Sequence, residues 1–249
     1  EAQLCRELGI DLVITDHHEC KEILPNAIAV VDPHRPDGGY PHMNLSGVGV
    51  AFKLAAALCG SQEDVLNDFA DMVCLGTVAD VMPLQGENRV FVACGLESLR
   101  NTKRPGIAAL MAESGCAPES VSASSIGFML APRINAAGRM GQIELAVELF
   151  LTEDPQEAAA LAEHLCNLNH RRQEEENGIY EQIIARIKAQ PELTRGKTMM
   201  LWGDGWHNGV IGIVSSRLSD RYGVPCLLVS MTGDVGKGSG RSIKGFNLY

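Results

Sequence analysis

At 249 residues the chain is long enough for one large domain or two modest ones, each with its own core. A hydrophobic content of 45% with 21% charged residues fits a globular protein and argues against disorder. The net charge of −10 argues against coating nucleic acid by bulk charge, though it leaves room for a local basic groove, and no apolar run approaches the roughly 20 residues of a membrane span.

The opening residues, EAQLCRELGI, have neither the basic nor the apolar region of a secretory signal and read as the tail of an amphipathic helix. Both ends of the chain look cut from something longer. Next comes Ile10 to Glu19, IDLVITDHHE, in which the apolar run Leu12-Val13-Ile14 delivers Asp16, His17 and His18 in succession. Branched apolar residues followed at once by polar ones predict a buried parallel strand opening onto a site. In open α/β sheets ligands bind beyond the carboxyl ends of such strands. One carboxylate beside two imidazoles offers hard and borderline metal ligands within one turn of chain.

Ala27 to Val31 is a second short strand candidate, running into Asp32-Pro33-His34-Arg35-Pro36, where the prolines force extended or turn geometry. Residues Asp37 to Leu45 have loop composition. Ser46 is the predicted N-cap and Gly60 the predicted terminator of an apolar helix. Gly47 and Gly49 in its first turn admit either a phosphate or a closely packed neighbour. A helix over roughly Glu63 to Leu75 then leads to LGTVADVMPL, where Asp80 follows a small-residue turn and precedes Pro83. A carboxylate emerging from so apolar a stretch is costly unless paired or bound to a cation. Asn88 to Leu99, Ile107 to Glu113 and Ser122 to Leu130 read as further helices.

APRINAAGRMG, residues Ala131 to Gly141, carries Arg133, Asn135 and Arg139 among small residues that leave the backbone accessible. Planar guanidinium groups fork well onto phosphate oxygens, although two surface arginines on a loop would look the same. Asp154-Pro155 starts a helix that continues to about Gln190. Its second half is charged on most faces, as in helices that bridge domains, which places a domain boundary near Asn169 to Gly178. His164 and His170 on this helix are expected to be solvated or capping. Thr198 to Trp202 is a predicted strand, Gly209 to Tyr222 a helix beginning just after His207, and Val224 to Ser230 a strand. GKGSGRS follows as a glycine-rich turn or edge strand, where backbone N–H groups with Lys237 and Arg241 would cradle phosphate. None of the eight cysteines forms a C-x-x-C pair, and their mostly apolar surroundings predict reduced core thiols in a cytosolic protein.

Taken in order, ITDHHE, NLSGVGVAFKLA, LGTVADVMPL, APRINAAGRM, WHNGVIGIVSSRL and GKGSGRS resemble the DHH phosphoesterase superfamily, and within it the RecJ family of bacterial single-strand-specific 5′→3′ exonucleases. The resemblance covers nearly the whole chain. It implies an α/β fold: the helix-rich C-terminal part of a parallel-sheet DHH domain (1–170), a connecting helix (171–190) and the start of a smaller α/β domain of DHHA1 type (191–249). It implies two-cation hydrolysis of phosphodiesters with Mn²⁺ or Mg²⁺, in DNA repair and recombination. His17 and Asp80 would be metal ligands, Asp16 a ligand or orienter, and His18 the group facing the scissile phosphate. Arg133, Asn135 and Arg139 would hold DNA phosphates, and His207, Lys237, Ser239 and Arg241 would bind the strand's terminal phosphates. The expected partner is single-stranded DNA in the cytoplasm, without a membrane, and with single-strand-binding or helicase proteins as partners of a longer parent.

The family's Asp-x-Asp loop and a later lone Asp lie upstream of the DHH strand, and nothing before Ile10 supplies them. The chain therefore reads as an internal fragment with about half of the metal shell and little activity alone. The alternatives are a DHH phosphodiesterase acting on short or cyclic oligonucleotides, and a non-catalytic DNA-binding scaffold.

Overall fold

A computed structural model describes residues 1–248. The chain forms two compact units, Glu1–Pro132 with Phe150–Ala159, and Arg133–Leu149 with the residues from Ala160 onward.

In the first unit a short helix, α1 (Ala2–Glu7), leads into β1 (Val13–Thr15) and β2 (Ala29–Val31). The strands are parallel, with Val13 opposite Ala29 and Thr15 opposite Val31. Their ladder runs one bond further, where the Asp16 amide donates to the Val31 carbonyl at 3.0 Å. Contrary to the expected burial, Val13 is 52% exposed. Among the described residues β1 is paired along one edge only.

Helix α2 (Gly47–Cys59) begins and ends where its sequence signals fall. The Ser46 hydroxyl accepts from the Gly49 amide at 3.2 Å, and Gly60 adopts φ +72° to turn the chain out of the helix. Helix α3 (Gln62–Ala79) runs four residues past its predicted end at Leu75. The small residues read as a turn before Asp80 are helical, and Gly76 is small for a packing reason. A Cβ there would lie 2.6 Å from Val48 Cγ1 of α2. On its other side α3 meets α4 (Gly86–Arg100) just as closely. A Cβ on Gly95 would lie 2.1 Å from Cys74 Cβ and 2.3 Å from the Ala70 carbonyl oxygen. The core around this sandwich holds Leu45, Val50, Val65 and Val73, with Phe52 and Phe91 edge to face at 4.8 Å. Each such side chain contributes roughly 1.5–3 kcal/mol by leaving water. Helix α5 (Pro105–Ser114) has its proline at the first turn. Just before it, Arg104 Nε donates to the buried carboxylate of Asp71 at 3.2 Å. A single turn, α6 (Ala123–Ser125), closed by a Ser122/Ser125 capping box, passes into a π-helical turn, Ile126–Leu130.

The APRINAAGRM segment forms helix α7 (Ala131–Arg139), so its small residues do not hold an open backbone. Ala136 and Ala137 are fully buried. Helix α8 (Ile143–Leu151) follows, then α9 (Pro155–Ala189), 35 residues and about 52 Å long. The Asp154 carboxylate caps α9 by accepting from the Gln156 amide at 2.8 Å.

In the second unit β3 (Met199–Asp204) pairs parallel with β4 (Cys226–Thr232), and β4 pairs antiparallel with β5 (Val235–Arg241). Helix α10 (Ile211–Tyr222) packs on β4 and β5. Ile179, Ile183 and Ile187 recur every four residues on α9, so they share one face and fill the core. Met199, Leu201, Val214, Leu218 and Leu228 complete that core. The GKGSGRS run is thus a strand, joined to β4 through Gly233-Asp234, with Gly233 at φ +58°. One of its glycines serves packing: a Cβ on Gly236 would lie 2.9 Å from the side chains of Val229 and Met231. Trp206 is buried beside Gly203, where a Cβ would lie 2.3 Å from the indole ring, and its Nε1–H donates to Gln182 at 3.1 Å.

The cysteines are free, and Cys74, Cys116 and Cys226 are buried as expected, whereas Cys59 and Cys94 are exposed on α2 and α4. Burial pushes the Cys74 thiol up to about 12 and that of Cys226 to about 11, so both stay protonated and inert.

Candidate functional site

The chain leaves β1 through Asp16, whose side chain folds back over the next two residues. Its Oδ1 accepts from the His17 amide at 2.8 Å and the His18 amide at 3.3 Å, and it lies 2.7 Å from His18 Nδ1. The hydrogen bond with His18 holds the Asp16 carboxyl below the usual carboxylate range, against the opposing effect of burial. The same bond raises His18 above the ordinary imidazole value, and the fields of Asp80 and Asp32 add to the rise. His17 takes a different partner. Its Nε2 lies 3.5 Å from Asp80 Oδ2, and its ring lies against Gly47, where a Cβ would be 3.4 Å from Cδ2. Asp16, His17 and His18 each offer a ligand atom within 4.8 Å of the others. Together with Asp80, two carboxylates and two imidazoles make a mixed O/N donor set that could hold a divalent cation of borderline hardness.

Asp80 owes its position to the end of α3. It is the C-cap residue, its amide donating to the Gly76 carbonyl at 3.0 Å. One turn earlier, the buried Thr77 hydroxyl lies 3.1 Å from the Ser46 hydroxyl. This contact ties the end of α3, which carries Asp80, to the start of α2, which backs His17. A further acid was not singled out from the sequence. Asp32 leaves β2 as Asp16 leaves β1, is buried, and accepts from the His34 amide at 2.8 Å. The signal was available: AVVDPH repeats the pattern of VITDHH, an apolar strand ending in Asp with His close behind.

In the second unit Lys237, Ser239 and Arg241 alternate along β5 opposite Ser230, Leu228 and Cys226, so all three share the face that α10 covers. A Cβ on Gly212, in the first turn of α10, would lie 2.9 Å from Ser239 Oγ and 3.5 Å from Arg241 Nη2. Arg139 Nη1 donates to the Gly209 carbonyl at 3.2 Å, and the Gly209 amide donates to His207 Nδ1 at 3.1 Å. Burial, then the fields of Arg172 and Arg241, depress the Arg139 guanidinium pKa, which Glu176 partly offsets. Arg172 and Glu176 escaped the sequence reading, although their i, i+4 spacing on α9 is a recognisable ion-pair signal. Glu176 takes Arg172 at 2.8 Å and Arg217 at 2.7 Å. The arrangement leaves an excess of positive charge facing Arg139 and suits an anion. Arg133 Nε instead lies 3.1 Å from Cys166 Sγ, and Asn135 is exposed on α7.

Residues 1–77 match the DHH family, N-terminal domain. The whole chain is 42% identical to the single-stranded-DNA-specific exonuclease RecJ of Bacillus subtilis, covering 100% of this chain and 31% of that protein. The likeness to the DHH family is direct over residues 1–77. Two solved structures carry the likeness beyond the matched DHH segment. RecJ from Thermus thermophilus in complex with Mn²⁺ superposes with a TM-score of 0.83 at 35% identity, over 97% of this chain and 36% of that one. The Mg²⁺ complex of RecJ from that organism gives 0.76 at 32% identity, over 96% and 35%. The helix-rich α/β architecture with parallel strand pairing is therefore that of the RecJ structures. The chain spans about a third of the length of these relatives.

Proposed function

We propose that the chain supplies part of the catalytic centre and the phosphate-binding face of a metal-dependent, single-stranded-DNA exonuclease of RecJ type. The observation that carries this is the approach of His17 Nε2 to Asp80 Oδ2 at 3.5 Å, beside Asp16 and His18 at the carboxyl end of β1. Mn²⁺ or Mg²⁺ bound among these donors would neutralise charge on the scissile phosphodiester and polarise it. His17 and Asp80 present one nitrogen and one oxygen to a shared point. Asp16 orients His18 through Nδ1, leaving the other ring nitrogen of His18 directed elsewhere for a phosphate oxygen or a proton. Held above its ordinary pKa by Asp16, His18 carries a proton at neutral pH more readily than a free imidazole.

On the second unit, Arg139 and Arg241 with Lys237, Ser239 and His207 offer cationic and hydroxyl groups to the phosphates of the strand. Arg133 and Asn135 on α7 are read as further phosphate contacts on the RecJ likeness. In this reading the residues from 191 onward are the beginning of a DHHA1-type domain joined through α9 to the DHH domain. The 5′→3′ polarity and a role in DNA repair and recombination rest on the RecJ likeness. Eight unpaired cysteines support a reducing, cytoplasmic setting. No helix of the described residues is long and apolar enough to cross a membrane.

Two-cation hydrolysis needs carboxylates that bridge ions about 3.5–4 Å apart. Among the described residues the acidic and imidazole donors gather into a single metal-binding group, so the 249-residue chain is expected to hold one cation and hydrolyse slowly. Mn²⁺ binding followed by electron paramagnetic resonance tests the site directly. Substituting His17→Ala or Asp80→Asn should weaken binding at least tenfold, whereas unchanged Mn²⁺ affinity in both variants would refute the assignment. Brisk release of nucleotides from single strands by this chain would refute the expectation of slow hydrolysis.

A further inference from the structure

Among the described residues Val81 is the one non-glycine residue with positive φ, at +57°. A β-branched side chain in the left-handed region is a genuine outlier, and such outliers persist only where their surroundings enforce them. The enforcing structure is the end of α3. The Met82 amide donates back to the Thr77 carbonyl at 3.2 Å and the Val81 amide to the Val78 carbonyl at 3.0 Å. This paired closure requires a left-handed residue at position 81, where glycine is the usual occupant. Valine brings the fold no packing in return, since it is 86% exposed.

Its neighbours share that character. Leu84 and Met43 are 38% and 50% exposed. The Asn88 side chain joins their loops, donating to the Asn44 carbonyl at 2.5 Å and the Pro83 carbonyl at 3.1 Å. Three apolar side chains therefore stand on linked loops, one of them on the residue next to Asp80. Consecutive Cα atoms are about 3.8 Å apart, so Val81 reaches no further from Asp80 than one nucleotide extends from its own phosphate.

We propose that Val81, with Met43 and Leu84 on the linked loops, is the apolar contact for the base of the nucleotide whose phosphate lies at Asp80 and His17. The proposal rests on the nuclease reading above. An aliphatic surface against the flat face of a base does not distinguish sequences, which suits an enzyme that must accept every nucleotide in turn. The closed end of α3 fixes the valine beside the metal ligand, so base and phosphate would be held by adjacent residues.

The test uses the 249-residue chain with Val81→Gly and Val81→Asn, both of which tolerate the left-handed conformation and so keep the end of α3. Binding is measured to a 5′-phosphorylated thymidine oligomer and to an abasic oligomer of equal length, with Mn²⁺ affinity alongside. Both variants should melt higher than the parent chain and bind the thymidine oligomer about three- to tenfold more weakly. Their affinity for the abasic oligomer and for Mn²⁺ should be unchanged. Undiminished preference for thymidine over abasic DNA would overturn the proposal. So would a parallel fall in Mn²⁺ affinity, which would make Val81 a support for Asp80, or loss of a self-associated state on sedimentation, which would make the patch a contact between copies. A parent chain that binds neither oligomer sinks the nuclease reading itself, whereas parent binding that both variants retain sinks only the role of Val81.

Discussion

Substituting Ser46→Ala tests whether one buried contact holds the two sides of the candidate metal centre together. Ser46 is buried, caps α2 through the Gly49 amide at 3.2 Å, and meets the Thr77 hydroxyl at 3.1 Å. Losing the cap costs roughly 1 kcal/mol. Leaving the buried Thr77 hydroxyl without this partner costs about 1–3 kcal/mol more. The sum, about 2–4 kcal/mol, is a large share of the stability of a domain this size. Thr77→Val should cost less, about 1 kcal/mol, because the Ser46 hydroxyl still holds the Gly49 amide. In the double variant no hydroxyl remains unpaired, so the combined loss should fall short of the sum of the singles by about 1–3 kcal/mol, the penalty of the unpaired hydroxyl. Urea unfolding, with hydrogen exchange at α2 and α3 amides to localise the effect, measures all four proteins. Additivity within about 0.5 kcal/mol would show that the two hydroxyls do not interact and would refute the coupling.

Two further outcomes follow from the geometry. Gly209→Ala would place a Cβ 2.1 Å from the Arg139 carbonyl oxygen, a backbone atom that no rotamer change can move aside. It should destabilise the second unit by roughly 1–3 kcal/mol and displace the loop bearing His207, read as a lower denaturation midpoint; an unchanged midpoint refutes the close approach. In metal-free protein, His18 should titrate above the ordinary imidazole value and fall back toward it in Asp16→Asn, as followed by the imidazole proton resonances. The raised His18 value means its contribution is complete below the ordinary histidine pKa and fades as pH rises through the folded-state value. The lowered Asp16 value means the reverse: its contribution is present above the ordinary carboxylate pKa and fades as pH falls through its own folded-state value. The contact is thus strongest from mildly acidic to neutral pH, and a His18 that ignores Asp16→Asn would show that the pair does not form in solution.

Local signals in the sequence were read correctly where local chemistry decides the structure. Ser46 and Gly60 bound α2, and Asp154-Pro155 opens α9, because capping and backbone strain act within a few residues. The strand ending in Asp16, His17 and His18 was legible for the same reason. What was missed depends on partners distant in sequence. The small residues before Asp80 looked like a turn, yet Gly76 is small because Val48 of α2 presses against it. The alanines of α7 looked like an open backbone and are instead buried. Val81 gave no hint of a left-handed conformation, because valine is among the residues least inclined to adopt one. Burial of Cys59 was overread, since an apolar helix still has an outward side.

The packing of Trp206 on Gly203 has an optical consequence. Both tryptophans of the chain, Trp202 and Trp206, lie in the second unit, one exposed and one buried with its indole N–H bonded to Gln182. Indole emission excited at the red edge of the absorption band therefore originates from that unit alone, with the buried ring emitting at shorter wavelength than the exposed one. A fluorescence melt would register the sheet of β3, β4 and β5 and pass silently over the half that bears Asp16, His17, His18 and Asp80. A tryptophan placed on the exposed side of α2 or α4 would give the first unit a signal of its own.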